Sequence, residues 1–315
     1  MNPELSIVIP VYNEIEALPF CYKRVSHILK SLDMSYEIIF IDDGSIDESA
    51  MFMSDLAEND ENVKVVLLSR NFGKEAALSA GIDFSLGEAL IILDADLQDP
   101  PELIPEMLKI WKEKDVDTIL MKRAERAGES YIKKRSAYWF YRILNKLSDF
   151  HIPEDVGDFR LMNKKTIEAI KNLPERNRYT KGLFAWVGMD AYIMEYERDP
   201  RVAGKAKQKY SSLFQLAFEG ITSFSIRPLK VSTYLGIVSA LFGFLFGIYI
   251  AAKAFFMGDP VPGYPSMTAI ITFLGGVQLL SIGILGEYVG KTYIESKKRP
   301  IYLVKKLITK KKKDD

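Results

Sequence analysis

Five short, almost continuous apolar runs recur along the first part of the chain: Leu5–Val11, Tyr36–Ile41, Val63–Leu68, Ala89–Leu93 and Asp117–Met121. A strand covered on both faces reads this way, because each successive side chain enters one of two buried layers. The intervals between the runs carry apolar residues at helical spacing and predict helices over 14–33, 47–59, 74–86 and 101–114. Pro100-Pro101 suits the opening of the last of these. Such strand–helix alternation predicts an α/β fold with a doubly wound, mostly parallel sheet. Ligands of these sheets bind beyond the carboxyl ends of the strands, so the residues following each apolar run are where chemistry is expected.

Past Met121 the period changes. Residues 122–160 are basic and aromatic, a short helical stretch covers Lys164–Asn172, and Pro174–Tyr179 reads as a polar loop. Val231–Phe256 then runs for 26 residues with one charge, Lys253. At 1.5 Å per residue it reaches about 39 Å, enough to cross a hydrocarbon core of about 30 Å with some tilt. Met267–Glu287 is a second such span, and the Pro/Gly turn between the two holds no Lys or Arg. Arg227 and Lys230 precede the first span, whereas Lys291, Lys297, Lys298 and Arg299 follow the second. This asymmetry predicts a multi-pass protein of the cytoplasmic membrane with its body and both termini in the cytoplasm. Tyr210–Ile226 suits either a helix in the headgroup plane or a packed amphipathic helix. The expected organisation is a cytoplasmic domain over 1–209, an interfacial region over 210–230, two transmembrane helices within 231–290 (about 231–256 and 267–288), and a basic tail over 291–315.

Charge sharpens that division. Lys+Arg 42 and Asp+Glu 42 cancel, yet residues 291–315 are net +7, 227–290 net +1 and 1–226 net −8. An acidic, membrane-tethered body argues against a nucleic-acid partner, and the basic tail suits anionic lipid or plain solvation. One Cys excludes an internal disulfide, and with two His it leaves no means to build a Cys/His zinc site.

The sharpest chemistry is Asp94-Ala95-Asp96-Leu97-Gln98-Asp99, just after the fourth run. In an extended chain Asp94, Asp96 and Gln98 share a face, and two carboxylates there suit a hard divalent cation such as Mg²⁺ or Mn²⁺ on a diphosphate. A solvated acidic loop is the alternative. Asp42 and Asp43 end the second run, where they could accept from a ribose or base or form an Asx turn. Pro10, Tyr12 and Glu14 close the first run, with a ring to flank a base and a carboxylate to bond it. Arg70-Asn71-Phe72-Gly73-Lys74 opens a helix and suits either an anion or structural ion pairs.

These segments have a familiar look. SIVIPVYNE (6–14), DDGS (42–45), SRNFGKEAALSAG (69–81), DADLQDPPE (94–102) and GDFRLM (157–162) resemble the inverting glycosyltransferases of family 2. Within that family the chain is most similar to the polyprenyl-phosphate glycosyltransferases, relatives of dolichol-phosphate-mannose synthase and the bactoprenol glucosyltransferases. The resemblance implies a GT-A fold over 1–209, a nucleotide-sugar donor (a UDP-sugar, UDP-glucose by choice) and a divalent metal held by Asp94, Asp96 and Gln98. It implies Pro10, Tyr12, Glu14, Asp42 and Asp43 around the nucleoside and Lys74 at the donor. Asp158 would be the catalytic carboxylate, acting with Asp96 and with Arg160 beside it. Arg123, one or more of Lys133, Lys134 and Arg135, and Lys207 of a Gly204-x-x-Lys207 loop would meet the lipid phosphate; Ala206 stands where the family usually has Ser or Thr.

The implied reaction is a single in-line displacement at the anomeric carbon by undecaprenyl phosphate. That acceptor is mostly dianionic at neutral pH, with a second pKa near 6, and needs little general-base help. Two other readings follow from the same residues: transfer to a sugar hydroxyl, and non-catalytic binding of a nucleotide sugar. Gly243-x-x-x-Gly247 and Gly286-x-x-x-Gly290 suit close helix contacts within one chain or in an expected homo-oligomer.

Overall fold

The computed structural model describes residues 2–124, 142, 145, 153, 154, 156–176, 178–200, 222, 223, 225–257 and 263–310. Its centre is four parallel strands in the order β4 (Ala89–Ile92), β1 (Leu5–Val11), β2 (Tyr36–Asp42), β3 (Val63–Leu68). Helices α1 (Leu18–Lys30), α2 (Ser49–Asn59) and α3 (Lys74–Phe84) connect them. A 3₁₀ turn at Pro101–Leu103 leads into α4 (Ile104–Lys114), whose end carries Asp115 in the left-handed region at φ 50°.

Beyond β4 the sheet departs from a simple parallel series. β5 (Thr118–Arg123) does not pair with β4; β6 (Val156–Asn163) lies between them, antiparallel to both. β7 (Ala191–Tyr196) runs parallel to β5 at that edge, and β8 (Val304–Thr309) runs antiparallel to β3 at the other. The full order is β7-β5-β6-β4-β1-β2-β3-β8. The last three strands escaped the apolar-run signal for a reason. β6 carries Asp158 and Arg160, and the two edge strands each have one largely exposed face, so none shows a continuous hydrophobic stretch.

Alternate residues feed two cores. Ile7, Ile9, Phe40 and Phe159 face one layer with Leu18, Met53 and Met107 of α1, α2 and α4. Val8, Ile39, Ile41 and Met162 face the other with Ala77 and Leu78 of α3 and Ile167 of α5 (Lys164–Lys171). Asn163 caps α5, its side chain accepting from the Thr166 N–H at 2.9 Å. At Gly81 a β-carbon would lie 2.1 Å from Val8 Cγ1, which allows α3 to sit close against β1.

The C-terminal third is a helical hairpin, α7 (Arg227–Met257) and α8 (Tyr264–Ser296). Arg227–Ile250 and Ile270–Ser296 are long and apolar enough to cross a membrane, and none of their apolar stretch is buried inside the protein. Large side chains such as Leu241, Phe244, Leu279 and Ile282 are more than half exposed, a surface that belongs with a membrane rather than with water. No atom lies within 4 Å of where a β-carbon would sit at Gly243, Gly247, Gly286 or Gly290 among the described residues. Among the described residues, packing between the two helices therefore does not use these glycines.

The segment read as a basic tail is not one throughout. α8 continues to Ser296, and Val304–Thr309 adds to the sheet, with Ile308 opposite Val65 and only 7% exposed. Tyr302 Oη donates to Asp83 at 2.7 Å, and the Ser69 N–H donates to the Leu303 carbonyl at 2.8 Å. Lys305 and Lys306 on this edge strand discourage further pairing. Most of the expected interfacial region, together with Lys133, Lys134, Arg135, Gly204 and Lys207, lies outside the described residues.

Candidate active site

Register brings the site together. In the antiparallel pair, Ile92 of β4 lies opposite Arg160 of β6. Two residues onward from Ile92 is Asp94, and two residues back from Arg160 is Asp158, so the two carboxylates meet at the carboxyl edge of β4. Lys74, the first residue of α3, reaches between them. Its Nζ lies 2.7 and 3.0 Å from the two Asp94 oxygens and 2.7 Å from Asp158 Oδ2. Burial on its own would raise the Asp158 pKa, but Lys74, then Lys181, and more weakly Arg160 hold that carboxyl well below the usual carboxylate range. For Lys74 the order is the same: burial opposes its charge, and Asp158 and Asp94 overcome that and raise its pKa.

The Asp94–Gln98 stretch is not an extended strand. β4 ends at Ile92 and the chain turns, with Leu97 left-handed at φ 56° and the Gln98 N–H donating to Asp96 Oδ1 at 3.2 Å. The three residues are therefore gathered by a turn and not by strand alternation. Asp96 is buried, while Asp94 and Gln98 are partly exposed. The donor set is two carboxylates and an amide oxygen, all hard ligands. Among the described residues there is no group of three acidic, His or Cys side chains placed to enclose a metal. The Lys74 ammonium between Asp94 and Asp158 shows that this edge accommodates positive charge.

The loops expected around the nucleoside are tightly knit. Asp43 accepts from the Phe72 and Gly73 N–H groups at 2.7 and 2.9 Å, and Asp42 accepts from the Ser45 N–H at 3.2 Å. Burial raises the pKa of both carboxyls. The Asx turn is thus present, and Asp43 also orients the loop that delivers Lys74. Gly44, at φ 70°, is required where it stands, since a β-carbon would lie 2.5 Å from Arg70 C and Asn71 N. On the β1 side, the Asn13 N–H donates to Ser45 Oγ at 2.9 Å and Asn13 Oδ1 accepts from the Ile46 N–H at 2.8 Å. Pro10, half-buried, and Tyr12, exposed at 36%, border this loop pair, with Glu14 beside them.

On the far side, Arg123 ends β5 next to Gly157. Its buried Nε finds no acceptor among the described residues. Burial works against its charge, while Tyr196, Asp99 and Asp94 raise its pKa. Arg160 is buried, donates from Nη2 to the Gly157 carbonyl at 2.7 Å, and lies 3.8 Å over the Phe184 ring of α6 (Thr180–Trp186). Burial lowers its pKa to about 10 against the pull of Asp158 and Glu75.

Two residues were missed by sequence reasoning. Glu75 Oε2 accepts from the Thr180 N–H at 2.9 Å, and burial, followed by Asp158, pushes its pKa up to about 7. Lys181 follows Thr180 and influences both Asp158 and Glu75. The signal for Glu75 was its place beside Lys74 at the start of a helix; Lys181 gave none.

Comparison with known proteins identifies the family. Residues 6–171 match the family described as Glycosyl transferase family 2, and residues 227–292 match the GtrB C-terminal hairpin. The chain is 47% identical over 302 residues to a bactoprenol glucosyl transferase of Shigella phage SfX, covering 96% of this chain and 99% of that one. It is 45% identical over 304 residues to the prophage bactoprenol glucosyl transferase homolog of Escherichia coli, with 96% and 99% covered. Among solved structures, glucosyl-3-phosphoglycerate synthase from Mycobacterium tuberculosis, crystallised with Mn²⁺, UDP-glucose and phosphoglyceric acid, shares the fold. That match has a TM-score of 0.50 at 17% identity and covers 70% of this chain and 78% of the other.

Proposed function

Because the chain belongs to glycosyl transferase family 2 and is a membrane-associated glycosyltransferase, we propose that it moves glucose from UDP-glucose onto undecaprenyl phosphate. The observation carrying this reading is the end-to-end likeness to bactoprenol glucosyl transferases, which extends through the hairpin as well as the body. The product is a prenyl-phosphate glucose with inverted anomeric configuration.

The geometry supports the parts of that reaction. Asp94 and Asp96, with Gln98, would hold Mg²⁺ or Mn²⁺ against the donor diphosphate. Two protein carboxylates suffice when substrate phosphates complete the shell. A metal bound there would supply charge neutralisation for the departing nucleoside diphosphate. Lys74 stands at the same edge and offsets charge growing there. Tyr12, Glu14, Asp42 and Asp43 frame the nucleoside. Asp158, kept ionised by Lys74, faces the anomeric centre and orients the acceptor or stabilises positive charge at that carbon. Arg123 meets the lipid phosphate.

The body and both termini are assigned to the cytoplasmic side. Supporting this, Arg176 donates to Glu295 Oε1 and to the Arg299 carbonyl at 2.8 and 2.9 Å, and β8 rejoins the sheet, so the end of the hairpin's second helix returns to the body. The glycines that meet nothing among the described residues are assigned to contacts between copies.

The test uses purified protein in detergent with undecaprenyl phosphate, a panel of labelled nucleotide sugars and Mg²⁺ or Mn²⁺. Label extractable into organic solvent from UDP-glucose alone, and abolished by EDTA, is the expected result. Transfer from another donor would replace the sugar. No transfer with donor binding intact would overturn the acceptor.

A further inference from the structure

The turn that gathers Asp94, Asp96 and Gln98 is gripped from outside by the end of β7. The Asp199 N–H donates to the Gln98 carbonyl at 2.9 Å. Tyr196 Oη donates to Asp99 Oδ1 at 2.5 Å, and Arg198 Nε donates to the same oxygen at 3.3 Å. Asp199 is fixed in its turn by Arg24 of α1, whose Nη2 lies 3.0 Å from Asp199 Oδ2. The same guanidinium bonds both oxygens of Glu102, at 2.6 and 2.7 Å, in the 3₁₀ turn that follows.

Tyr196 has the most constrained place in this clasp. It and Asp99 are both buried. Its ring meets Phe159, the neighbour of Asp158, edge-on with centroids 5.7 Å apart, and its carbonyl accepts from the Ala124 N–H at 2.9 Å. Arg123 is its partner in the β5–β7 register and presents only donors to the phenol, so the single phenolic proton goes to Asp99. The turn needs such a hold for two reasons. Leu97, one residue before Gln98, is left-handed at φ 56°, and a branched residue keeps that conformation only where its surroundings impose it. Asp94 and Asp99 also repel, since after burial it is the Asp94 charge that most raises the Asp99 pKa. Tyr196 and Arg198 oppose that repulsion.

Resting on the metal-dependent transfer proposed above, we infer that Tyr196 is a positioning residue for the divalent metal: by fixing Asp99 it keeps the Asp94–Gln98 turn in the shape that offers two carboxylates and an amide oxygen together. It touches neither metal nor substrate and acts through the turn alone. Its effect is therefore on how tightly the metal is held, not on the displacement that follows. A higher metal concentration makes good its loss, which it would not do for a residue needed only for folding or for the chemical step.

The test compares wild type, Tyr196→Phe, Asp99→Ala, the double variant and Tyr302→Phe as full chains in detergent. Mn²⁺ uptake in the presence of UDP is read from the EPR signal of free Mn²⁺, which requires no transfer. Tyr196→Phe keeps the ring against Phe159 and removes only the hydroxyl, and its Mn²⁺ dissociation constant is expected to rise about tenfold. Asp99→Ala is expected to raise it at least as far, and the double variant no further, because the pair acts as one unit. Tyr302→Phe removes a phenol–carboxylate bond to Asp83 beside β8 and serves as the structural control. It is expected to lower Tm and leave the Mn²⁺ constant within about twofold. In the transfer assay, Tyr196→Phe is expected to lose about tenfold at limiting Mn²⁺ and to return within about twofold of wild type at saturating Mn²⁺. An unchanged Mn²⁺ constant in Tyr196→Phe overturns the inference, as do an equal rise in Tyr302→Phe, additive losses in the double variant, or a transfer defect that saturating Mn²⁺ leaves in place. A wild type that takes up no Mn²⁺ with UDP overturns the metal site and this inference with it. Tyr196-dependent Mn²⁺ uptake without transfer of glucose overturns the reaction alone and leaves the inference standing.

Discussion

Replacing Glu75 with Gln should flatten the pH dependence of stability. Glu75 is partly buried beside Asp158 and accepts from the Thr180 N–H at 2.9 Å. Its pKa is pushed from 4.5 to about 7, first by burial and then by the Asp158 charge. Between those values the folded protein keeps a proton that the unfolded chain gives up. Folding stability therefore falls as pH rises through this window and is level again above it. At 1.36 kcal/mol per pKa unit the full effect is roughly 3 kcal/mol, and partial solvent access reduces it to about 2 kcal/mol. Depending on whether the body alone or the whole chain unfolds together, that corresponds to roughly 3–5 °C in Tm. Gln retains an acceptor for Thr180 and cannot ionise, so any fixed cost of the substitution is the same at every pH. Thermal unfolding of both proteins in detergent at pH 5 and pH 8 is the assay. The Tm of Glu75→Gln minus that of wild type should move in favour of the variant by that amount at the higher pH. A difference constant to within about 1 °C would refute the assignment of a raised Glu75 pKa.

Four further outcomes are expected. Lys74→Met should lower kcat/KM for the donor by roughly 100-fold. It should also move the acid limb of the rate profile to higher pH, because Asp158 loses the cation that most depresses its pKa. Gly44→Ala should destabilise the protein by at least about 1 kcal/mol and weaken donor binding, read by thermal unfolding and UDP titration, since its β-carbon would press on Arg70 and Asn71. Asp96→Asn should reduce transfer and raise the Mn²⁺ concentration for half-maximal activity, measured in a metal titration. Ile308→Asp places an unpaired charge in the core beneath β8 and should cost about 3 kcal/mol or more, whereas Lys306→Glu on the exposed edge should cost under about 0.5 kcal/mol, both by thermal unfolding.

The central fold was legible because its four parallel strands are buried on both faces and write that burial as apolar runs. The hairpin was legible for the related reason that a hydrocarbon solvent tolerates almost no charge. The site's location followed from the carboxyl-edge rule, and Asp94, Lys74 and Asp158 do meet there. What failed was the inference from local period to local geometry. Asp94, Asp96 and Gln98 were assigned to one face of a strand, but the left-handed Leu97 makes them a turn. β6 was hidden because a strand entering an active site carries the charged residues of that site. β8 was hidden because its buried content is essentially one residue, Ile308, among lysines. Lys181 depends on α3 and α6 coming together, a tertiary fact with no local trace, and Glu75 offered only its place beside Lys74.

The pairing of β8 with β3 has a bearing on how the protein is made. β3 forms early in synthesis, yet Leu68 cannot find Val304 until the hairpin and the segment after it have been translated. During that interval the sheet has an open edge, with unpaired backbone groups on Lys64–Leu68. Closing it requires the end of α8 to emerge on the side where the body waits. A chain whose second helix failed to return would keep its edge exposed to proteolysis and to strand exchange. Correct insertion is thereby read out in the catalytic body itself, as a sheet that is either sealed or left ajar.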